Sequence, residues 1–223
     1  MRTALLSATC LLFLCASAFA GPLTKVERQE LASYQDLYVF GEDLWKSEDD
    51  RIARENSNVV KGKNSLTLKL ANGGEKRLTY EPCADEPGVA PKTGSCSTYL
   101  FLAHIKSQGG YFVSQAHWEW VTVHWIDEAT GEETKFANVP QISPDGTHAL
   151  LIDNELMNGE NLGKGLLYER QGPGWVQTRV FKVGTDSEQD NAAIINGMVL
   201  SSWIGRKIAI TRKSDGKIFE FEY

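Results

Sequence analysis

From residue 58 onward, apolar and polar side chains alternate. Leu66, Leu68 and Leu70 are interleaved with Thr67 and Lys69, Asn72-Gly73-Gly74 follows, and the alternation resumes over 76–80. A period of two sends successive side chains to opposite faces of a strand. Asn and Gly tolerate the positive φ of tight hairpin turns, so the segment predicts a hairpin. Further strands are predicted over 99–105, 111–126, 149–152, 166–170, 175–183, 207–211 and 217–223. Turns are predicted at 127–131, at Ser143-Pro144-Asp145-Gly146, at Gly172-Pro173-Gly174 and at Ser214-Asp215-Gly216. The final strand is expected to close a sheet, because a free apolar strand is an aggregation edge.

Upstream, the spacing changes. Val26, Leu31, Tyr34 and Leu37 recur at roughly helical intervals and predict a helix over 24–38. Thr24 with Glu27 three residues on forms a capping box at its start. The charged stretch 42–56, anchored by Leu44, Trp45 and Ile52, reads as a second short helix or a surface segment. The expected architecture is all-β, built of antiparallel sheets over 58–223, with a short helical N-terminal arm over 21–57.

The turn glycines Gly74, Gly131, Gly174 and Gly216 lie 57, 43 and 42 residues apart. Without the 14 residues that run from Cys83 to Cys96, the first interval also becomes 43. A repeat of this length, four strands to a unit, matches propeller blades. A small β-propeller of four or five blades is therefore expected, with a sandwich or barrel as alternatives. The stretch NVPQISPDGTHALLID resembles the SPDG-containing blades of exported bacterial β-propeller proteins of the TolB-repeat type. That resemblance implies a propeller fold and, for some short members, no assigned activity.

The first twenty residues have a different character. Arg2 precedes an apolar stretch over 4–16, and Ala18-Phe19-Ala20 forms an A-x-A cleavage site before Gly21. This is the layout of an export signal, and the apolar run is shorter than the roughly 20 residues a bilayer requires. Lipidation at Cys15 is the rival reading, weakened by Leu14 just before it. Removing 20 of the 223 residues leaves 203, enough to bury a core. Net charge moves from −6 to −7, and basic residues form no cluster to attract nucleic acid. No later segment approaches transmembrane length, so no integral membrane segment is expected after cleavage. The expected location is periplasmic or secreted. Cys83 and Cys96 then remain as an even pair in an oxidising compartment, which predicts a disulfide; two thiols binding zinc would supply only half a site.

Candidate chemistry centres on HWEWVTVHW. If 111–126 is one strand, His117 and Glu119 share one face while Trp118, Trp120 and His124 share the other. His117 with Glu119 would supply two metal ligands and lacks a third; the alternative is a polar face backed by an aromatic one. The tryptophans, Trp45, Trp125, Trp175 and Trp203 included, are expected in the core. No G-x-S-x-G elbow is present, and 159–165 lacks the Ser or Thr of a phosphate loop. The acid pairs Asp127-Glu128, Glu132-Glu133 and Asp153-Glu155 read as solvated charges beside turns. No catalytic residue, metal or cofactor is nominated. The expected role is a non-enzymatic binding or scaffold module for an unknown protein or small molecule. The alternatives are a periplasmic hydrolase or metal-dependent enzyme centred on His117 and Glu119, and an inhibitor of another exported protein.

Overall fold

The computed structural model describes residues 21–35, 47–81, 96–117, 121–153, 164–182, 199–212 and 216–223. Helix α1 (Lys25–Gln35) begins at the predicted capping box. The Thr24 backbone N–H and hydroxyl donate to Glu27 Oε2 at 2.8 and 2.7 Å, and the Glu27 N–H donates back to Thr24 Oγ1 at 3.2 Å. Helix α2 (Glu48–Arg54) occupies the charged stretch, with three acids in its first turn and two arginines in its last, the order that complements the helix dipole.

Four antiparallel sheets follow, each a meander of strands adjacent in sequence. The first contains β1 (Val59–Gly62), β2 (Ser65–Lys69) and β3 (Glu75–Thr79). The second contains β4 (Ser97–Ile105), β5 (Gly110–His117), β6 (Val121–Asp127) and β7 (Glu133–Phe136). The third contains β8 (Gln141–Ile142), β9 (His148–Asp153), β10 (Lys164–Gln171) and β11 (Gly174–Lys182). The fourth contains β12 (Val199–Ile204), β13 (Lys207–Arg212) and β14 (Ile218–Glu222). The all-β expectation holds. Of the four spaced glycines, Gly131 and Gly216 are at positive φ in the hairpins that lead into the last strands of their sheets; in the other two such hairpins the positive φ falls on Gly73 and Gly172, not on Gly74 and Gly174.

Apolar side chains pack each sheet on the next in chain order. Leu66, Leu68 and Leu78 of the first sheet meet Phe101, Tyr111, Val113 and Ile126 of the second. On the other face of the second sheet, Phe112, Trp125 and Phe136 join Ala149 and Trp175 of the third, with Leu23, Leu31 and Tyr34 of the N-terminal arm closing the cluster. Leu150, Leu167 and Phe181 then meet Ile208 and Ile210 of the fourth. The second sheet is thus covered on both faces, which is why 111–113 are all fully buried rather than alternating.

An arginine ties the second sheet to the third. The Arg170 guanidinium lies 4.7 Å from the ring centre of Trp125 and 5.2 Å from that of Trp175, and its Nη2 is 3.0 Å from Asp127 Oδ2. Asp127 Oδ1 accepts from the Ala129 and Thr130 N–H groups and caps the β6–β7 turn. Asp127 is therefore no solvated turn acid; it is buried and paired.

Two further expectations are corrected. The stretch 111–126 is two strands, because the chain reverses between His117 and Val121 and β5 pairs with β6 antiparallel. The C-terminal strand β14 closes nothing among the described residues: it lies at the edge of its sheet, paired with β13, and Ile218 is exposed. Cys96 is buried, whereas Cys83, Trp45, Trp118, Glu119, Trp120 and residues 1–20 lie outside the described residues. No described helix is long and apolar enough to cross a membrane.

Candidate functional site

Strand reversal decides which side chains meet. Val113 lies opposite His124, and Gln115 opposite Thr122. Side chains on β5 at 111, 113, 115 and 117 therefore share a face with those on β6 at 122, 124 and 126. His124 consequently lies on the same face as His117, opposite to the single-strand expectation. On β4, Tyr99 pairs with Gln115; on β7, Lys135 pairs with His124.

These positions form a hydrogen-bonded row that crosses all four strands of the second sheet. Glu133 Oε1 on β7 is 2.9 Å from His124 Nδ1 on β6. His124 Nε2 is 3.1 Å from Gln115 Oε1 on β5, and the Gln115 amide nitrogen donates to Ser97 Oγ on β4 at 3.1 Å. Lys76 from the first sheet and Lys135 approach the Glu133 carboxylate at 3.6 and 3.7 Å. Tyr99 meets the His124 ring edge-on at 5.5 Å and Tyr80 at 6.1 Å. His124 is buried, while Tyr80, Tyr99, Gln115, His117 and Thr122 are half-buried and form the rim.

The electrostatics are opposed along the row. Burial pushes His124 below the ordinary histidine value, and the charges of Lys135 and His117 add to this, against the pull of Glu133. His117 is lowered by burial and by Lys135. Burial alone would raise Glu133; its bond to His124 and the nearby cations outweigh that and leave it lowered. With one ring proton, His124 donates to Glu133 and offers Nε2 as an acceptor, so the Gln115 amide must turn its nitrogen toward the ring. With two, Nε2 donates to the Gln115 carbonyl. The proton sense of the whole row follows the charge on His124.

This sets a pH dependence. A histidine lowered in the folded state is protonated first in the unfolded chain, so stability is complete above the unfolded value of about 6.5 and declines as pH falls below it. Melting temperature should drop between pH 7 and 5, and His124→Gln should flatten that slope. Parallel slopes for the two proteins would contradict the assignment.

The other histidines are engaged elsewhere. His104 Nδ1 is 2.9 Å from Glu55 Oε2 and its Nε2 3.0 Å from Glu128 Oε2, with the ring stacked on Tyr111 at 4.2 Å. It fastens the end of α2 to the β6–β7 turn, so Glu128, expected as solvated, is a structural partner. His148 lies beside Thr147 and Tyr223. Among the described residues, no group of three or more His, Cys, Asp or Glu is arranged to hold a metal ion.

Of the residues singled out from sequence, His117 lies on the rim and His124 at the centre. Gln115, Ser97 and Tyr99 were not singled out, and Glu133, expected as a solvated turn acid, is instead bonded to His124. Gln115 was accessible from its two-residue spacing to His117; the others depend on strand pairing.

No family model and no curated protein matches the chain. Among solved structures, one described as a 6-phosphogluconolactonase from Bacteroides fragilis is similar at 11% identity and a TM-score of 0.30. The match covers 73% of this chain and 55% of that one, so this chain spans about half the length of that protein.

Proposed function

We propose that the chain is an exported, non-enzymatic binding module on a small β-propeller of four blades, with the row from Ser97 to Glu133 as the floor of its ligand site. Support for the blades comes from four consecutive meanders packed in chain order, each ending in a glycine-bearing hairpin, and from the resemblance of the SPDG segment to TolB-type repeats. Residues 1–20 are its export signal, and Cys83 and Cys96 its disulfide, in a periplasmic or secreted protein.

One observation carries the binding role. Both ring nitrogens of His124 already face protein partners, Glu133 and Gln115. A general base needs a nitrogen within reach of the proton it removes; here the ring organises neighbours instead. The rim offers an amide, a hydroxyl and tyrosine faces, which suits a polar ligand with one apolar side, such as a sugar or a short neutral peptide.

Titrating the processed protein with monosaccharides and with neutral peptides, read by amide NMR, should produce saturable shifts centred on Gln115 and His117. Gln115→Leu should weaken that binding about tenfold, the equivalent of one lost hydrogen bond. Turnover of glycan, ester or peptide substrates that His117→Ala abolishes would overturn the reading in favour of a hydrolase.

A further inference from the structure

We infer that the turn over 106–108 is a receptor for the chain's own α-ammonium group at Gly21, so that removal of residues 1–20 completes a site that locks the helical arm onto the sheets. The inference rests on the export reading above. Its geometry is independent of that reading.

The Gly21 N–H donates to the Ser107 carbonyl at 2.8 Å, and the Gln108 amide nitrogen donates to the Gly21 carbonyl. The Leu23 N–H donates to the Pro144 carbonyl in the SPDG turn at 3.2 Å. Gln108 is 3% exposed, and its Oε1 is buried with no hydrogen-bond partner. The amide is confined there by Gly146: a Cβ at that position would lie 1.9 Å from Gln108 Nε2 and 2.8 Å from Oε1.

A buried acceptor without a donor is costly and uncommon. In the unprocessed chain, the Gly21 peptide nitrogen carries one hydrogen, and Ser107 takes it. Hydrolysis of the Ala20–Gly21 bond by an export peptidase consumes one water. It leaves a carboxylate on Ala20 and an amine on Gly21 that is mostly protonated at neutral pH. That ammonium has two further N–H donors, beside the Gln108 amide whose oxygen lacks one.

The surrounding charge favours it. The Glu27 carboxylate accepts from the Ser107 N–H at 2.9 Å and the Ser107 hydroxyl at 2.7 Å, and these bonds, with those from Thr24, outweigh burial and keep it ionised. Lys106, the cation of the same turn, is paired with Glu55 at 3.6 Å. Ammonium, carbonyl, amide oxygen and carboxylate together form a neutralised cluster at the junction of the arm with the second and third sheets.

The test compares protein released from a cleavable tag to begin at Gly21 with the same protein carrying Ala20 in front. The Gly21 form should melt about 2–8 °C higher, the shift expected from relieving one buried orphan acceptor. Gln108→Met should abolish that difference. Independently, the Gly21 amine should react with an acylating reagent at pH 7 about tenfold more slowly than the amine of a peptide of residues 21–35, as a pKa raised by one unit requires. Equal melting temperatures, a difference that survives Gln108→Met, or peptide-like acylation would each overturn the receptor. An exported protein whose intact mass shows a start other than Gly21 would overturn the processing step and leave the receptor to the melting data.

Discussion

Glu48→Ala should lower the melting temperature by about 10 °C, the largest effect expected from any single side chain in the arm. Glu48 is 1% exposed, and its Oε1 accepts the Phe101 N–H at 2.8 Å. Three residues on, Arg51 Nε donates to the Phe101 carbonyl at 3.0 Å. The two side chains, one helical turn apart, stand in for the strand that β4 lacks at its outer edge. Lys61 from β1 neutralises the same carboxylate. Truncation strands the buried Phe101 N–H and removes the carboxylate that faces Lys61, a loss of about 3 kcal/mol, and each kcal/mol is worth about 2–4 °C in a domain of this size. Glu48→Gln keeps the acceptor for Phe101 and should lose less than half as much. If calorimetry found the two variants equally destabilised, the loss of charge, and not of the strand-like bond, would account for the effect.

Gly146→Ala should cost about 2–4 kcal/mol. At φ +77 a side chain is strained, and the new Cβ would also displace the Gln108 amide. Gly172→Ala separates the two effects: its φ is +60, but nothing lies within 4 Å of the added carbon, so strain alone remains, about 1 kcal/mol. Because Gln108 holds Gly21, the Gly146 variant should also expose the arm to protease ahead of the sheets, while the Gly172 variant should not. Identical digestion patterns would separate the SPDG turn from the docking of the arm.

Both predictions turn on contacts between segments far apart in the chain, and this is where sequence reading thinned out. Turn chemistry was legible: the predicted turns at 127–131 and at Gly172-Pro173-Gly174 each join two paired strands, and Thr24 with Glu27 formed the capping box its spacing implied. The aromatic core was legible in part: Trp125 and Trp175 are buried, while Trp203, expected with them, is half-buried. Three of the acids beside turns were misjudged, while Glu132 is exposed as expected. Asp127, Glu128 and Glu133 look like solvent-facing charges in a linear reading, yet each meets a basic partner on another element or strand.

The site shows the same division. His117 and Gln115 could be grouped by the two-residue period of one strand, a local property of the backbone. The relation of His124 to them depended on where the chain reverses, since a hairpin pairs odd positions with even ones and so exchanges faces. By itself the sequence determined element type, the glycine-bearing turns and the capping box that opens the arm, because φ preference and side-chain alternation act within a few residues. Tertiary structure alone decided the row from Glu133 to Ser97 and the meeting of Gly21 with Gln108. Register and sheet packing arise from burial summed over distant segments, and no local spacing encodes them.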